Sequence, residues 1–588
     1  AACERAPTHH TLAGAIRAAG MQPPASQPHH GLVLLDTHGN AQRYGYGDLW
    51  QTALGIATGL RAHGVQQGDR VLLLLPTSAS YVATVCATIL LGAVPCTVAA
   101  PTSSAKADEA LGSLAAVASK LEARLIIAPV GVMAPLQTAP DLATYQIVTD
   151  VDLATDVPLD PALLPVIQPS DMLHIQLTSG STSRPKGVVI THQQALANIH
   201  AITRAVDYAP QTESTLVWLP LYHDMGFVQL LLNIYYQSTL YLMTPFSFLR
   251  QPLSWLRNMS TYGIAMSAAP TFAYRTCVQK FDPAKLVGVN LATWRRAFVG
   301  AEPVPLRVVE EFAHCYAPYG LHPDTIYPCY GMAETVLATT LHQRTPAPDG
   351  HGFLQLDQID KQVLLRDERA LPVEDAAEQP TVGVLSMGQA VQGLDLAILS
   401  ADGQPCADRA VGEICVRGPS VMQHYVADSA ATAQALQDGW YHTGDRGYLV
   451  AGDLYVLGRI KELVIVRGRN YQPYDIEALL EQHPAVRTDY TVVFSLFNEV
   501  QGTDDVVAII ESKATPETHA DLTNELQQSL QRVFGFRAHE IVIVPHGTIP
   551  RTTSGKRQRT LCREFYRTGA FARQQPATRP AEASTAAS

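Results

Sequence analysis

The segment Leu177-Thr178-Ser179-Gly180-Ser181-Thr182-Ser183-Arg184-Pro185-Lys186-Gly187 concentrates small hydroxyls, glycines and one lysine directly after an apolar run. That mixture suits an anion: glycines let backbone N–H groups converge on phosphate oxygens, the Thr and Ser hydroxyls add donors, and Lys186 supplies a point charge. The same composition also describes a plain polar loop. It is not the Walker frame, because Lys186 does not follow a G-x-x-x-x-G spacing and is itself followed by glycine. A second segment, Ile549-Pro550-Arg551-Thr552-Thr553-Ser554-Gly555-Lys556, has a similar character, and taken alone it reads better as a solvated basic turn. His223 adjoins Asp224, but adjacency does not make a Ser-His-Asp constellation, so His223 reads as a pocket wall or positioning group rather than a base.

These residues need a scaffold. From Arg43 onward, short Val/Ile/Leu runs such as those at Leu125 and Leu173 alternate with helical patterns, the signature of α/β layering around a largely parallel sheet. Val71 to Ala105 carries no charge and invites a membrane-span reading, but Pro76, Pro95 and Pro101 cut it, and Ser78, Ser80, Thr84 and Thr88 sit inside it. It divides into strand, a helix ending near Gly92, and strand, which is a buried βαβ unit. The polar stretch between Phe353 and Gln379 interrupts the alternation and reads as an inserted or extended loop. After Tyr441 the pattern turns to hairpins, with Gly452-Asp453 as the turn between two alternating runs. A smaller segment from about Glu462 to Arg567 follows, with a helix beginning near Pro473 and a strand after His539; Gln574 to Ser588 reads as a flexible tail or the start of a linker.

At 588 residues the chain exceeds what one hydrophobic core holds. Its 47% hydrophobic and 16% charged content is that of an ordinary globular protein. A formal charge of −11 offers no basic footprint for nucleic acid, and no transmembrane segment is read. The nine cysteines run from Cys3 to Cys562 without a CxxC pair or a Cys/His cluster at zinc spacing, so reduced thiols are expected. Ala1 to Gly20 lacks the apolar core of a secretory leader, and with the cysteine usage this points to a cytoplasmic protein.

The Thr178–Lys186 segment closely resembles the phosphate loop of the adenylate-forming superfamily of acyl-CoA synthetases, luciferases and nonribosomal adenylation domains, and further segments resemble its other motifs in order. Gly300-Ala301-Glu302-Pro303 is similar to the segment lining the adenine pocket. Tyr330-Gly331-Met332-Ala333-Glu334-Thr335 resembles the motif whose tyrosine stacks on adenine, whose threonine contacts the α-phosphate and whose glutamate holds Mg²⁺. Tyr441-His442-Thr443-Gly444-Asp445 resembles the motif whose aspartate accepts the ribose hydroxyls, and Gly458-Arg459-Ile460-Lys461-Glu462 the hinge, with Arg459 reaching the ribose and Lys461 at the pivot. Ile549 to Lys556 resembles the loop bearing the catalytic lysine.

Within the superfamily, Trp218-Leu219-Pro220-Leu221-Tyr222-His223-Asp224-Met225-Gly226, Arg467-Gly468-Arg469-Asn470 and Tyr474-Asp475-Ile476-Glu477 are very like the versions in fatty acyl-AMP ligases, and the insertion from about Leu354 to Gln379 sits where those ligases carry an extra segment. Phe227-Val228-Gln229 departs from that subgroup, where smaller residues are common, and leaves acyl chain length open. The resemblance implies a large layered domain over 1–460 and a small mobile α+β domain over 461–570, with a tail over 571–588. It implies ATP and Mg²⁺ at Thr178, Ser179, Gly180, Ser181, Thr182, Lys186, Gly300, Ala301, Glu302, Tyr330, Gly331, Met332, Glu334, Thr335, Asp445, Arg459 and Lys556, and an acyl pocket at His223, Met225, Gly226, Phe227, Ser267 and Ala268. The implied reaction joins a fatty acid to AMP with release of pyrophosphate, then passes the acyl group to the phosphopantetheine of an acyl carrier protein or of a carrier domain in a polyketide or nonribosomal synthase. Coenzyme A as acceptor, and a catalytically silent adenylate-binding protein, are the alternatives.

Overall fold

The computed structural model describes residues 9–21, 30–99, 107–178, 186–343, 354–373, 381–466, 469–498, 503–551 and 557–573. The chain separates into two compact units, one running to Leu457 and the other beginning at Gly458.

The large unit is built on a seven-stranded sheet in the order Ile326–Pro328, Arg296–Gly300, Met266–Pro270, Ser214–Val217, Thr239–Met243, Gly31–Leu35 and Ala41–Gly45. Every neighbouring pair is parallel except the last. A second, four-stranded parallel sheet runs Val94–Thr97, Arg70–Leu73, Leu125–Ala128, Gln146–Thr149. Val71, Leu72 and Leu73 are each 0% exposed, which is why this strand is an unbroken apolar run: a parallel strand covered on both faces has no solvent side. The helix Ala79–Leu90 that follows is capped by the Ser78 hydroxyl, 3.0 Å from the Tyr81 amide, and the chain leaves it at Gly92 with φ +66°. Its buried Thr84 and Thr88 donate their hydroxyls back to the carbonyls of Ser80 and Thr84, both at 2.8 Å, so no polar group is left wanting. Among the described residues, no helix is long and apolar enough to cross a membrane.

Two expectations change in detail. The hairpin turn between Trp440–Val450 and Asp453–Arg459 consists of Ala451 and Gly452, at φ +51° and +89°, not Gly452 and Asp453. A two-residue turn of type I′, which matches strand twist, has positive φ at both positions, and here alanine accepts that strain while Asp453 takes the first strand position. The described part of the polar insertion is not a loop. Leu356–Asp360 pairs antiparallel with Thr381–Leu385, and Asp360 caps a short helix, Lys361–Asp367, by accepting from the Gln362 and Val363 amides at 2.7 and 3.0 Å. Ile359, Leu364 and Ala370 bury themselves against Tyr448 and Tyr455 of the hairpin. Its polarity is that of a strand with one face in solvent. Residues 374–379 lie outside the described residues.

The small unit has a three-stranded sheet in which Val486–Asn498 pairs antiparallel, and Glu540–Val544 parallel, with Thr503–Ser512. The ribbon Val464–Val466 with Arg469–Tyr471 leads into the helix Pro473–Leu480, which opens with proline where its missing N–H costs nothing.

Candidate active site

The strands Met172–Thr178 and Lys186–Thr191 form an antiparallel pair that sets Thr178 opposite Lys186. Ser179, Gly180, Ser181 and Thr182 lie between them, outside the described residues. The second strand is extended by backbone contacts to residues 424–426: Val188 bridges Tyr425, and the Val426 amide donates to Gly187 O at 2.8 Å. This pairing brings the Lys186 ammonium 4.6 Å from the Tyr425 ring centroid, a cation–π contact. The Tyr425 hydroxyl in turn donates to Glu334 Oε1 at 2.9 Å. Glu334 sits on the single turn Ala333–Thr335, fixed from behind by the Met422 amide donating to its carbonyl at 2.7 Å. Burial, then the Glu334 charge, pushes the Tyr425 phenol far up; burial does the same to Tyr441, which hydrogen-bonds with Tyr425. Both therefore stay O–H donors at any working pH.

The next group is Tyr330 with Asp445, whose Oδ2 accepts the Tyr330 hydroxyl at 2.7 Å. Asp445 ends a turn held by Glu413. Glu413 Oε1 accepts the Gly444 amide at 2.9 Å, its Oε2 lies 2.8 Å from His442 Nδ1, and Thr443 accepts the Asp445 amide at 3.0 Å while donating to Ile414 O. Glu413, Cys415 and His442 bring ligand-type atoms within 4.8 Å of one another, a grouping assembled from neighbouring strands that no sequence spacing announces. Glu413 already holds His442 and Gly444, and burial raises the Cys415 thiol to about 12, so the trio stands as a turn brace around a neutral thiol.

Two of the non-glycine residues with positive φ lie in these motifs. Ala301 at φ +64° lies in the Gly300–Pro303 segment, and Val336 at φ +74° directly follows Thr335; a β-branched residue there is costly, and such residues gather at ligand sites. Glycine is required at 331, where a Cβ would stand 1.8 Å from Leu337 O. Met332 follows, its amide donating to that same carbonyl at 2.9 Å.

Several residues expected in the site have partners within the fold. Thr335 is fully buried with its hydroxyl turned to Met332 O and Thr339, not outward. Glu302 caps the helix Thr271–Gln279 by accepting the Phe272 amide at 2.7 Å. Ser267 is a core tie: it accepts from Trp255 Nε1 at 3.0 Å and donates to Leu216 O at 2.7 Å, with 0% exposure, and Ala268 beside it is buried in the same strand. His223 precedes the helix Asp224–Tyr236, in which Met225 is half-buried, and Gly226 approaches Pro220 O so closely that a Cβ would stand 2.5 Å away. Phe227 is buried against His174, ring centroids 4.8 Å apart. Gln176, two residues along the strand from His174, pins this region by donating to Tyr222 O at 2.7 Å.

In the small unit, Arg459 ends its strand and Lys461 is exposed on the turn Ile460–Glu462. Lys556 lies outside the described residues. Glu477 and Ile476 are buried inside this unit. Tyr425, Glu413 and Gln176 were not legible as site residues. Tyr425 lies 91 positions from Glu334 in a stretch with no motif character, and only strand pairing joins them.

Comparison with known proteins places this geometry. The model of the AMP-binding enzyme family matches residues 23–426, and that of the Disco-interacting protein 2-like AMP domain matches 461–575. The chain is 31% identical over 531 residues, 90% of its length and 91% of the relative's, to a putative acyl-CoA synthetase of Caulobacter vibrioides. It is 29% identical to JamA of Moorena producens, a medium-chain-fatty-acid–[acyl-carrier-protein] ligase, over 88% of this chain and 89% of that one. A solved structure from work on fatty acyl-adenylate ligases of E. coli and L. pneumophila superposes with a TM-score of 0.87 at 29% identity, covering 97% of this chain and all of that one. The chain belongs to the AMP-binding enzyme family, adenylate-forming ligases that use ATP.

Proposed function

We propose that this member of the family activates a medium- or long-chain fatty acid as acyl-AMP and hands the acyl group to the phosphopantetheine thiol of an acyl carrier protein. The observation that carries the reading is the convergence, in one unit, of Lys186, Tyr425 and Glu334 beside the Tyr330–Asp445 pair. The names of JamA and of the fatty acyl-adenylate ligase structure support the substrate class.

The substrate carboxylate attacks the α-phosphorus of ATP, an O–P bond forms, and pyrophosphate leaves. Two anions must meet, so positioned cations and donors supply most of the catalysis. Lys186, with the hydroxyls and amides of 178–182, neutralises phosphate oxygens; Lys556 meets the reacting oxygens; Asp445 and Arg459 hold the ribose while Tyr330 covers the adenine. Glu334 accepts the Tyr425 hydroxyl, and one carboxylate beside a triphosphate is the donor set that Mg²⁺ favours. When bound, that ion offsets charge on the phosphates. An acyl chain contributes about 0.8 kcal/mol per methylene buried. In the second step the carrier's thiol attacks the acyl carbonyl and AMP leaves, with Lys461 as the pivot between the arrangements serving the two steps.

The relative named as an acyl-CoA synthetase keeps coenzyme A in view as the other acceptor. Mass spectrometry of products from ATP and a panel of fatty acids, with CoA or with a phosphopantetheinylated carrier protein, separates the two. Acyl-AMP should accumulate alone and become carrier thioester, whereas acyl-CoA forming as readily would overturn the acceptor assigned.

A further inference from the structure

Asp445 sits on an irregularity of its sheet, all of it inside the large unit. Where Gly412–Arg417 pairs with Trp440–Val450, Glu413 stands opposite Arg446 and Cys415 opposite His442, so Ile414 alone faces Thr443, Gly444 and Asp445. Extra residues of this kind bulge out of a ladder and re-aim a side chain, here the Asp445 carboxylate. The pair Glu413 and Arg446 closes one end of the bulge, and the polar insertion holds both of its members.

It holds Arg446 by charge. Arg446 is 8% exposed, and its Nη2 donates to Glu368 Oε1. Burial works against the Arg446 charge and Glu368 offsets part of that effect, because a guanidinium taken out of water needs a carboxylate to answer it. Glu368 ends the helix Lys361–Asp367 in a left-handed conformation, φ +52°.

The insertion holds Glu413 through the backbone before it. The Val411 amide donates to Glu368 O at 2.9 Å and the Ala370 amide to Arg409 O at 2.8 Å, while Arg369 bridges Ala410. Residues 409–411 therefore run as a strand beside 368–370 and end two positions before Glu413, the acceptor of the Gly444 amide. Arg409 adopts φ +68°, and Asp357 of the insertion keeps it there by accepting both Nη atoms, at 2.9 and 3.3 Å. Asp357 also accepts the hydroxyl of Tyr448 at 2.8 Å, from the strand that bears Asp445. A fork-shaped guanidinium against a carboxylate fixes direction as well as distance.

We infer that the insertion braces the bulge that presents Asp445, with Glu368 as a positioning residue whose hold on Arg446 sets where the Asp445 carboxylate stands. The inference rests on the ribose role given above to Asp445. It predicts a defect in recognition of the nucleotide's sugar, not in the chemistry. A site built to bond a hydroxyl discriminates against an analogue lacking it, and that discrimination fades when the acceptor is misplaced.

The test compares ATP with 2′-deoxy-ATP and 3′-deoxy-ATP in acyl-dependent pyrophosphate exchange by the parent, Glu368→Ala, Glu368→Gln and Asp445→Asn. In Glu368→Ala the KM for ATP should rise about threefold to tenfold, the scale of one hydrogen bond, with kcat and the KM for the fatty acid little changed. The KM for the analogue lacking the hydroxyl that Asp445 accepts should rise less, so the preference for an intact ribose narrows. Glu368→Gln keeps an acceptor oxygen and should recover part of that preference; it decides the matter should the alanine variant not fold. An equal rise for all three nucleotides would mean a merely structural role and overturn the inference, as would a parent-like preference in whichever Glu368 variants fold. Asp445→Asn separates this inference from the reading beneath it. If it erases the preference while the Glu368 variants keep it, only the inference falls; if it leaves the preference intact, the ribose role of Asp445 falls too.

Discussion

Glu334 in the large unit and Glu477 in the small one are carboxylates held in opposite ways. Glu334 is half-buried and accepts a phenol hydroxyl from Tyr425, a donor that brings no charge. Glu477 is 1% exposed and clamped between Arg557 and Arg559. A phenol orients a carboxylate and leaves its charge available to a cation. A guanidinium neutralises the carboxylate and makes it a brace. Burial works against the charge of Arg559, and Glu477 and Glu462 more than offset it, so its pKa rises rather than falls. The expected division is that charge removed at Glu334 costs rate, whereas charge removed at Glu477 costs stability.

Substitutions test that division in descending order of effect. Lys556→Ala should lower acyl-dependent pyrophosphate exchange by at least about a hundredfold, the cost of removing one transition-state donor, while nucleotide binding measured by calorimetry survives. Glu477→Gln should destabilise the small unit by about 3 kcal/mol, since it takes from buried Arg559 and from Arg557 the carboxylate they share and leaves Glu462 and Glu481 as remaining partners, read as faster hydrogen exchange in the strand Val486–Asn498. If it instead spares stability and halts only adenylation, the comparison breaks. Asp445→Asn removes a charged acceptor worth about 1.5–3 kcal/mol, so KM for ATP should rise roughly tenfold to a hundredfold with thermal stability unchanged. Tyr425→Phe sharpens the contrast most finely. Losing one hydroxyl should weaken exchange about tenfold and raise the Mg²⁺ concentration needed, with no change in unfolding.

A smaller effect depends on pH. Burial holds His174 down to about 3 and His192 to about 4, each from 6.5. Below pH 6.5 the unfolded chain takes up protons that the folded one refuses, so stability falls with falling pH from 6.5 to about 4, by roughly 1.4 kcal/mol per unit for each histidine. All five tryptophans lie in the large unit, so urea unfolding followed by their fluorescence reports this, and His174→Phe should halve the slope.

Much of the scaffold was readable. Val71 to Leu73 declared itself as a strand covered on both faces, and Pro473 as a helix start, because local chemistry and final environment agree there. The insertion misled because half of its side chains face solvent, so composition alone gave a loop where Ile359, Leu364 and Ala370 make a small core. The hairpin turn was displaced by one residue because Ala451 adopts a backbone that alanine seldom takes. In the site, Lys186, Tyr330, Glu334 and Asp445 were named from their motifs, but Tyr425 and Glu413 act through strand pairing, which leaves no local pattern. Ser267 belongs to the apolar stretch Met266–Pro270, and the hydrogen bonds of its hydroxyl to Trp255 and Leu216, distant in sequence, leave no local pattern.

Radiolabelled pyrophosphate exchange into ATP, driven by fatty acids of increasing length, addresses the reading of the chain most directly. Label should enter ATP only when a fatty acid and Mg²⁺ are present, and should vanish in Glu334→Gln. Exchange that ignores the acid, or that persists undiminished without the Glu334 carboxylate, would contradict it.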